Sequence, residues 1–243
     1  MIKVIDIAID GPAGAGKSTI SKITAGNLKL LYIDTGAMFR AATFYFISNN
    51  IDYENEENVN KHILNISIDL RHINGIQHIF LNGNDVTKDI RTEEISKAVS
   101  IVAKNQKIRE MLLDIQRKIA EENNVVMDGR DIGTCVLPNA GLKIFLVASV
   151  EERAKRRYKQ LVRRGKTANY DEILLNLKKR DEQDMTREIA PLKKAEDAIL
   201  IDSTNMTLEK VVSIIVKLAK ERFLRNKKLV SNLENNDIND IDI

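Results

Sequence analysis

The chain has 243 residues, 38 of them Lys or Arg and 35 Asp or Glu, for a net charge of +3. Its 43% apolar content can build a core, and 11 Gly with 3 Pro and no period exclude fibrous classes. No apolar run is long enough to span a bilayer, Asp6 and Asp10 break up any secretory segment, and the single Cys135 excludes an intrachain disulfide framework. A cytoplasmic protein with one domain, or one core with an inserted lobe, is expected.

Residues 2–9 are mostly β-branched and read as a buried parallel strand, followed by a glycine-rich turn at 11–16 and a helix over 18–30. A second strand over 31–33 ends at Asp34-Thr35-Gly36, and a helix continues to about 48. Ile66, Ile68 and Leu70 then alternate with polar residues, and Asn82-Gly83 supplies a hairpin turn. This pattern predicts a small antiparallel sheet inserted at about 60–95. Ile108, Met111, Leu112, Ile115 and Ile119 mark an amphipathic helix. Strands are predicted over 125–127, 142–148 and 198–201, and helices over 151–165 and 170–183. A final helix starts near Leu208. Residues 231–243 carry one Glu, three Asp and no Lys or Arg, and read as a disordered Asn/Asp-rich tail beyond a single unit at 1–230.

The most specific motif is Gly11-Pro12-Ala13-Gly14-Ala15-Gly16-Lys17-Ser18, with Thr19 next, lying between a strand and a helix. Such a loop turns consecutive N–H groups toward phosphate oxygens, Lys17 reaches the β- and γ-phosphates, and Ser18 serves Mg²⁺. The motif leaves open a GTPase, an ATP-driven machine or a small-molecule kinase. The sequence has no guanine-reading Asn-Lys-x-Asp, and the short strand ending at Asp128-Gly129-Arg130-Asp131 favours a kinase.

Ligands of doubly wound sheets collect beyond the carboxyl ends of the strands. Thr35, Arg40, Asp128, Arg130 and Asp131 fall there, Arg109 flanks an apolar helix stripe, and Arg180, Asp184 and Arg187 follow helical spacing. Arginine forks suit a dianionic phosphate. Salt-bridged or solvated roles for Arg109 and Arg187, and a capping role for Asp128, remain alternatives. Residues 151–166 hold eight basic and two acidic residues and fit a mobile lid over phosphates, a nucleic-acid patch or a solvated helix face. His62, His72 and His78 lack ligand spacing, and Cys135 reads as a buried small hydrophobe.

These motifs, with Ile90-Arg91-Thr92, Lys143-Ile144-Phe145-Leu146, Glu152-Arg153-Ala154, Ala190-Pro191-Leu192 and Asp202-Ser203-Thr204, give a chain that resembles bacterial cytidylate kinases over about residues 5–222. The resemblance implies an α/β P-loop nucleoside monophosphate kinase fold. That fold is a parallel sheet flanked by helices, with an antiparallel monophosphate-binding insertion and a short arginine-rich lid at about 151–168. It implies ATP- and Mg²⁺-dependent phosphorylation of CMP and dCMP by a monomer that binds neither nucleic acid nor membrane. A kinase for another small acceptor and an ATP-regulated RNA-binding protein are the alternatives.

By the same resemblance Thr35, Arg40, Ser100 and Asp184 surround the cytosine nucleotide, and Asp131 and Arg180 read its sugar. Arg40, Arg109, Arg130 and Arg187 face the acceptor phosphate, while Arg153 and Arg157 approach ATP. Lys17, Arg130, Asp131, Arg153 and Arg157 form the expected catalytic set. Phe39 stands where the family generally has Tyr, which removes a hydroxyl and alters affinity without abolishing activity.

Overall fold

A computed structural model describes residues 6–73 and 75–236 of the chain. Five parallel strands, β1 (Ile7–Asp10), β2 (Leu31–Asp34), β6 (Val125–Gly129), β7 (Leu142–Val147) and β8 (Ile199–Asp202), line up in the order β2-β6-β1-β7-β8. Residues 2–5 of the first predicted strand lie outside the described residues. A separate antiparallel sheet holds β3 (Ile68–Ile73), β4 (Ile76–Leu81) and the two-residue β5 (Asn84–Asp85). Asn82 and Gly83 both adopt positive φ in the β4–β5 turn, as their dipeptide predicts.

Alternation along the central strands feeds two apolar layers. Ile7, Ile9, Val126, Ile144 and Leu146 pack with Ile20 of α1 (Lys17–Leu28) and with Val211 and Ile215 of α8 (Leu208–Asn236). Ala8, Ile33, Val125 and Met127 pack on the other face with Ala120 of α5 (Gln106–Glu122) and with Ile132 and Val136. A third cluster joins Met38 and Phe46 of α2 (Thr35–Ser48) to Ile79, Leu81, Ile108 and Leu112, which fastens the insertion to the core.

Strand register sets up the site. Asp10 lies opposite Gly129, and Asp34 opposite Asp128, so three carboxylates leave the sheet along one edge. Asp34 caps α2 by accepting the Ala37 N–H at 2.9 Å, so Thr35 and Gly36 open the helix rather than form a separate turn.

Helices α3 (Glu56–His62) and α4 (Glu93–Val102) add to the predicted elements. Asn55 and Thr92 cap them and acidic residues fill their first turns, a start signal present in the sequence. Residues 132–136 form a π-helical turn, α6 covers Val150–Arg163, and α7 covers Tyr170–Thr186. The last helix continues to Asn236, beyond the expected start of the tail at 231; residues 237–243 lie outside the described residues. Cys135 is half-buried, a correction to the buried position expected of it.

Candidate active site

The phosphate loop is held from both sides. Gly11 has φ 150°, and a Cβ there would meet the Leu146 carbonyl oxygen at 2.0 Å, so the β1–β7 packing admits only glycine. Lys17 Nζ donates to the carbonyls of Gly11 at 2.7 Å and Pro12 at 2.8 Å. Burial and the Arg130 guanidinium lower its ammonium to about 7. Ser18 Oγ donates to Asp128 Oδ2 at 2.9 Å, and Tyr32 donates to Asp128 Oδ1 at 2.7 Å. Burial and the charge of Asp34 raise the Asp128 carboxyl to about 6.

Arg153 lies beneath this loop and is 5% exposed. It donates to Ala148 O at 2.9 Å and Ala13 O at 2.9 Å, and pairs with Asp181 at 2.7 Å. Its donors therefore hold the loop backbone. Arg157, one turn further along α6, pairs instead with Glu93 of α4 and donates to Gln160 at 2.7 Å.

Opposite the loop, α5, α7 and the end of β6 bring arginines and carboxylates together. Asp131 accepts from Arg109 and, at 3.3 Å, from Arg187. Asp184 accepts from Arg130 Nε at 2.7 Å, and Asp34 from Arg40 at 2.8 Å. The Arg130 guanidinium keeps the Asp184 carboxyl below the usual range despite its burial. The buried Nε atoms of Arg40 and Arg180 have no hydrogen-bond partner among the described residues. Burial and Arg130 lower Arg180 to about 10. Phe39 lies with its ring centre 5.4 Å from the Arg109 guanidinium. Thr35 Oγ1 donates to the Asp128 carbonyl at 2.8 Å, and Ser100 Oγ to Gln183 at 2.8 Å.

A cleft of about 940 Å³ joins the two halves. It is lined by Ala13, Gly14, Gly16, Lys17, Ser18 and Thr19 at one end, and at the other by Thr35, Phe39, Arg40, Ser100, Arg109, Asp128, Arg130, Asp131, Arg180, Asp184 and Arg187. Arg153 and Arg157 border it, while Gly11, Pro12 and Ala15 are buried and do not line it.

A family model described as cytidylate kinase matches residues 7–221. The chain belongs to the cytidylate kinase family. It is 48% identical over 222 residues to a cytidylate kinase of Bacillus subtilis, covering 91% of this chain and 99% of that protein. It is 49% identical over 217 residues to one of Caldicellulosiruptor bescii, covering 89% and 96%. A crystal structure of an uncharacterized protein from Eubacterium ventriosum shares the fold, with a TM-score of 0.52 at 15% identity over 89% of this chain and 98% of that one. The chain is therefore an enzyme, a nucleoside monophosphate kinase.

For this cytidylate kinase family member the sequence reading missed Asp10, Tyr32, Glu93, Asp181 and Gln183, all of which hold a cleft residue or its loop. Asp10 has a local signal, as the polar last residue of an apolar strand before the phosphate loop. Glu93 and Gln183 have none, because their partners are 64 and 83 residues away.

Proposed function

We propose that this cleft carries out the family's ATP-dependent phosphorylation of CMP and dCMP with the donor at the phosphate loop and the acceptor among the arginines. The observation that carries the assignment is the single cleft with a P-loop at one end and Arg40, Arg109, Arg130, Arg180 and Arg187 at the other. Loop amides from Ala13 to Thr19, including the start of α1, bind the ATP phosphates, and Lys17 follows charge onto the transferred group. Arg157 supplies a lid charge at the transition state, and Arg153 keeps the loop in shape through Ala13.

On the acceptor side Arg40, Arg109, Arg130 and Arg187 bind the CMP phosphate and Arg180 the sugar, with Phe39, Thr35 and Ser100 lining the nucleoside region and Asp131 and Asp184 fixing the cationic forks. The attacking phosphate oxygen is largely ionised at neutral pH, so Asp131 positions rather than abstracts a proton. In-line transfer requires the two nucleotides, entering from opposite ends of one cleft, to bring the donor γ-phosphate and the acceptor phosphate into contact between Lys17 and the arginines.

Residues present also suit Mg²⁺. The Ser18 hydroxyl and Asp128 carboxylate form a hard-oxygen pair, and a buried carboxylate raised to about 6 gains from a cation. No group of three or more His, Cys, Asp or Glu among the described residues is arranged to hold a metal alone, in keeping with an ion that shares its ligands with phosphates and water. When bound, Mg²⁺ neutralises charge on the donor phosphates.

The same reading makes the protein a cytoplasmic monomer acting on small nucleotides, without nucleic-acid or membrane partners. A single cysteine fits a reducing compartment.

Magnesium-dependent ADP formation with a panel of acceptors tests the assignment. CMP and dCMP should far outpace UMP, AMP, GMP, dTMP and shikimate. Comparable turnover with another acceptor would overturn the pocket reading, and ATP loss without any acceptor would overturn the kinase reading.

A further inference from the structure

Asp10 ends β1 directly before the phosphate loop, yet its side chain reaches across to the turn that follows β6. It is 4% exposed. Its Oδ1 accepts the Ile132 N–H at 2.8 Å and its Oδ2 accepts the Gly133 N–H at 2.7 Å. Those are the first two amides of the π-helical turn at Ile132–Val136, groups that a helical turn cannot satisfy internally.

The residue in place to cap this turn is Asp131, whose carbonyl accepts from Cys135 at 2.8 Å and Val136 at 3.2 Å. Its side chain makes no capping bond. Instead that carboxylate pairs with Arg109 and Arg187, from α5 and from just past α7. An aspartate at such a position ordinarily caps its own turn. Here the two tasks are divided between two carboxylates, and the parallel register that sets Asp10 opposite Gly129 makes the division possible.

We propose that Asp10 is a positioning residue for acceptor recognition: by capping the Ile132–Val136 turn from the neighbouring strand, it leaves the Asp131 carboxylate free to hold Arg109 and Arg187 in the cleft. The proposal rests on the assignment of those arginines to the acceptor. Only a carboxylate offers an acceptor to each of two adjacent amides from this depth; the asparagine amide offers one oxygen and one donor. With Asp10 altered, the bare amides compete for Asp131, and the arginine pair loses its anchor.

The test is steady-state kinetics of the full chain carrying Asp10→Asn, Asp10→Ser, Asp131→Asn and the Asp10→Asn/Asp131→Asn pair, with ATP and CMP varied separately. KM is independent of the amount of active enzyme, so partial misfolding of one variant does not obscure it. Asp10→Asn and Asp10→Ser should each raise KM for CMP about tenfold, the scale of a lost charged hydrogen bond, and change KM for ATP less than about twofold. The double variant should be no worse than Asp131→Asn alone, because both changes act through one carboxylate. Equal changes in both KM values, a lower melting temperature with unchanged KM values, or additive losses in the double variant would overturn the role of Asp10. An unchanged KM for CMP in Asp131→Asn would overturn the acceptor assignment itself.

Discussion

Arg157 on α6 forms an ion pair with Glu93 in the first turn of α4, tying the basic helix to the opposite wall at the cleft mouth. Both side chains are partly exposed, at 32% and 50%, and such pairs contribute about 0–1 kcal/mol. The pair is therefore weak enough for Arg157 to exchange Glu93 for a phosphate. Arg157→Ala should lower kcat about 100-fold, as loss of one charge-stabilising donor does, while leaving the thermal melting curve nearly unchanged. Parallel kinetics and melting of the variant check this, and a large loss of stability would point to a structural role.

Arg153 should behave in the opposite way. It is buried, satisfies the Ala13 and Ala148 carbonyls, and neutralises Asp181. Arg153→Ala leaves that carboxylate without its partner and should cost about 3 kcal/mol of stability. Denaturant unfolding measures it, and adding Asp181→Asn should recover part of the loss. Arg153→Lys should not rescue, because one ammonium cannot reproduce three directed donors.

Lys17 links ATP binding to pH. Its ammonium is lowered from 10.5 to about 7, chiefly by burial and then by Arg130. A bound polyphosphate raises it again, so between the two values the free protein is largely neutral at Lys17 and the complex protonated. Binding then takes up protons, and affinity weakens as pH rises above about 7. Calorimetric titration with a non-hydrolysable ATP analogue at about pH 8, in two buffers of different ionisation enthalpy, should show uptake of most of a proton. Lys17→Met should abolish the buffer dependence.

Phe39 offers an aromatic face to Arg109 at 5.4 Å. Phe39→Leu removes a contact of about 0.5–1 kcal/mol and should raise KM for CMP about threefold. Phe39→Tyr keeps the ring and adds a donor, and should lower KM for CMP by a factor of about 3–10 if the hydroxyl reaches the nucleotide. Initial rates at saturating ATP distinguish these outcomes from unchanged binding.

Much of this architecture was legible along the chain because its signals are local. The Gly11–Lys17 spacing, the Asn82-Gly83 turn and the β-branched strands encode backbone geometry within a few residues of themselves. Helix α3 has seven residues, too few turns for an apolar stripe to stand out, whereas α4 carries both a Thr92 cap and a stripe at Ile95, Ala98, Val99 and Val102 that the sequence reading passed over. The final helix extends into the Asn-rich segment because six further residues, to Asn236, continue a helix already nucleated by packing on α1.

By itself the sequence determined the phosphate loop, the family and the list of charged residues that could reach a nucleotide. Tertiary structure alone decided how those charges are divided. It sends Arg153 under the loop rather than across the cleft, pairs Asp128 with Ser18 and Tyr32, and assigns the capping of one turn to Asp10 so that Asp131 faces two arginines. The reason is physical: motif geometry depends on backbone torsions between neighbours. The partner of a buried charge depends on which strands are adjacent, and here that adjacency joins residues more than a hundred positions apart.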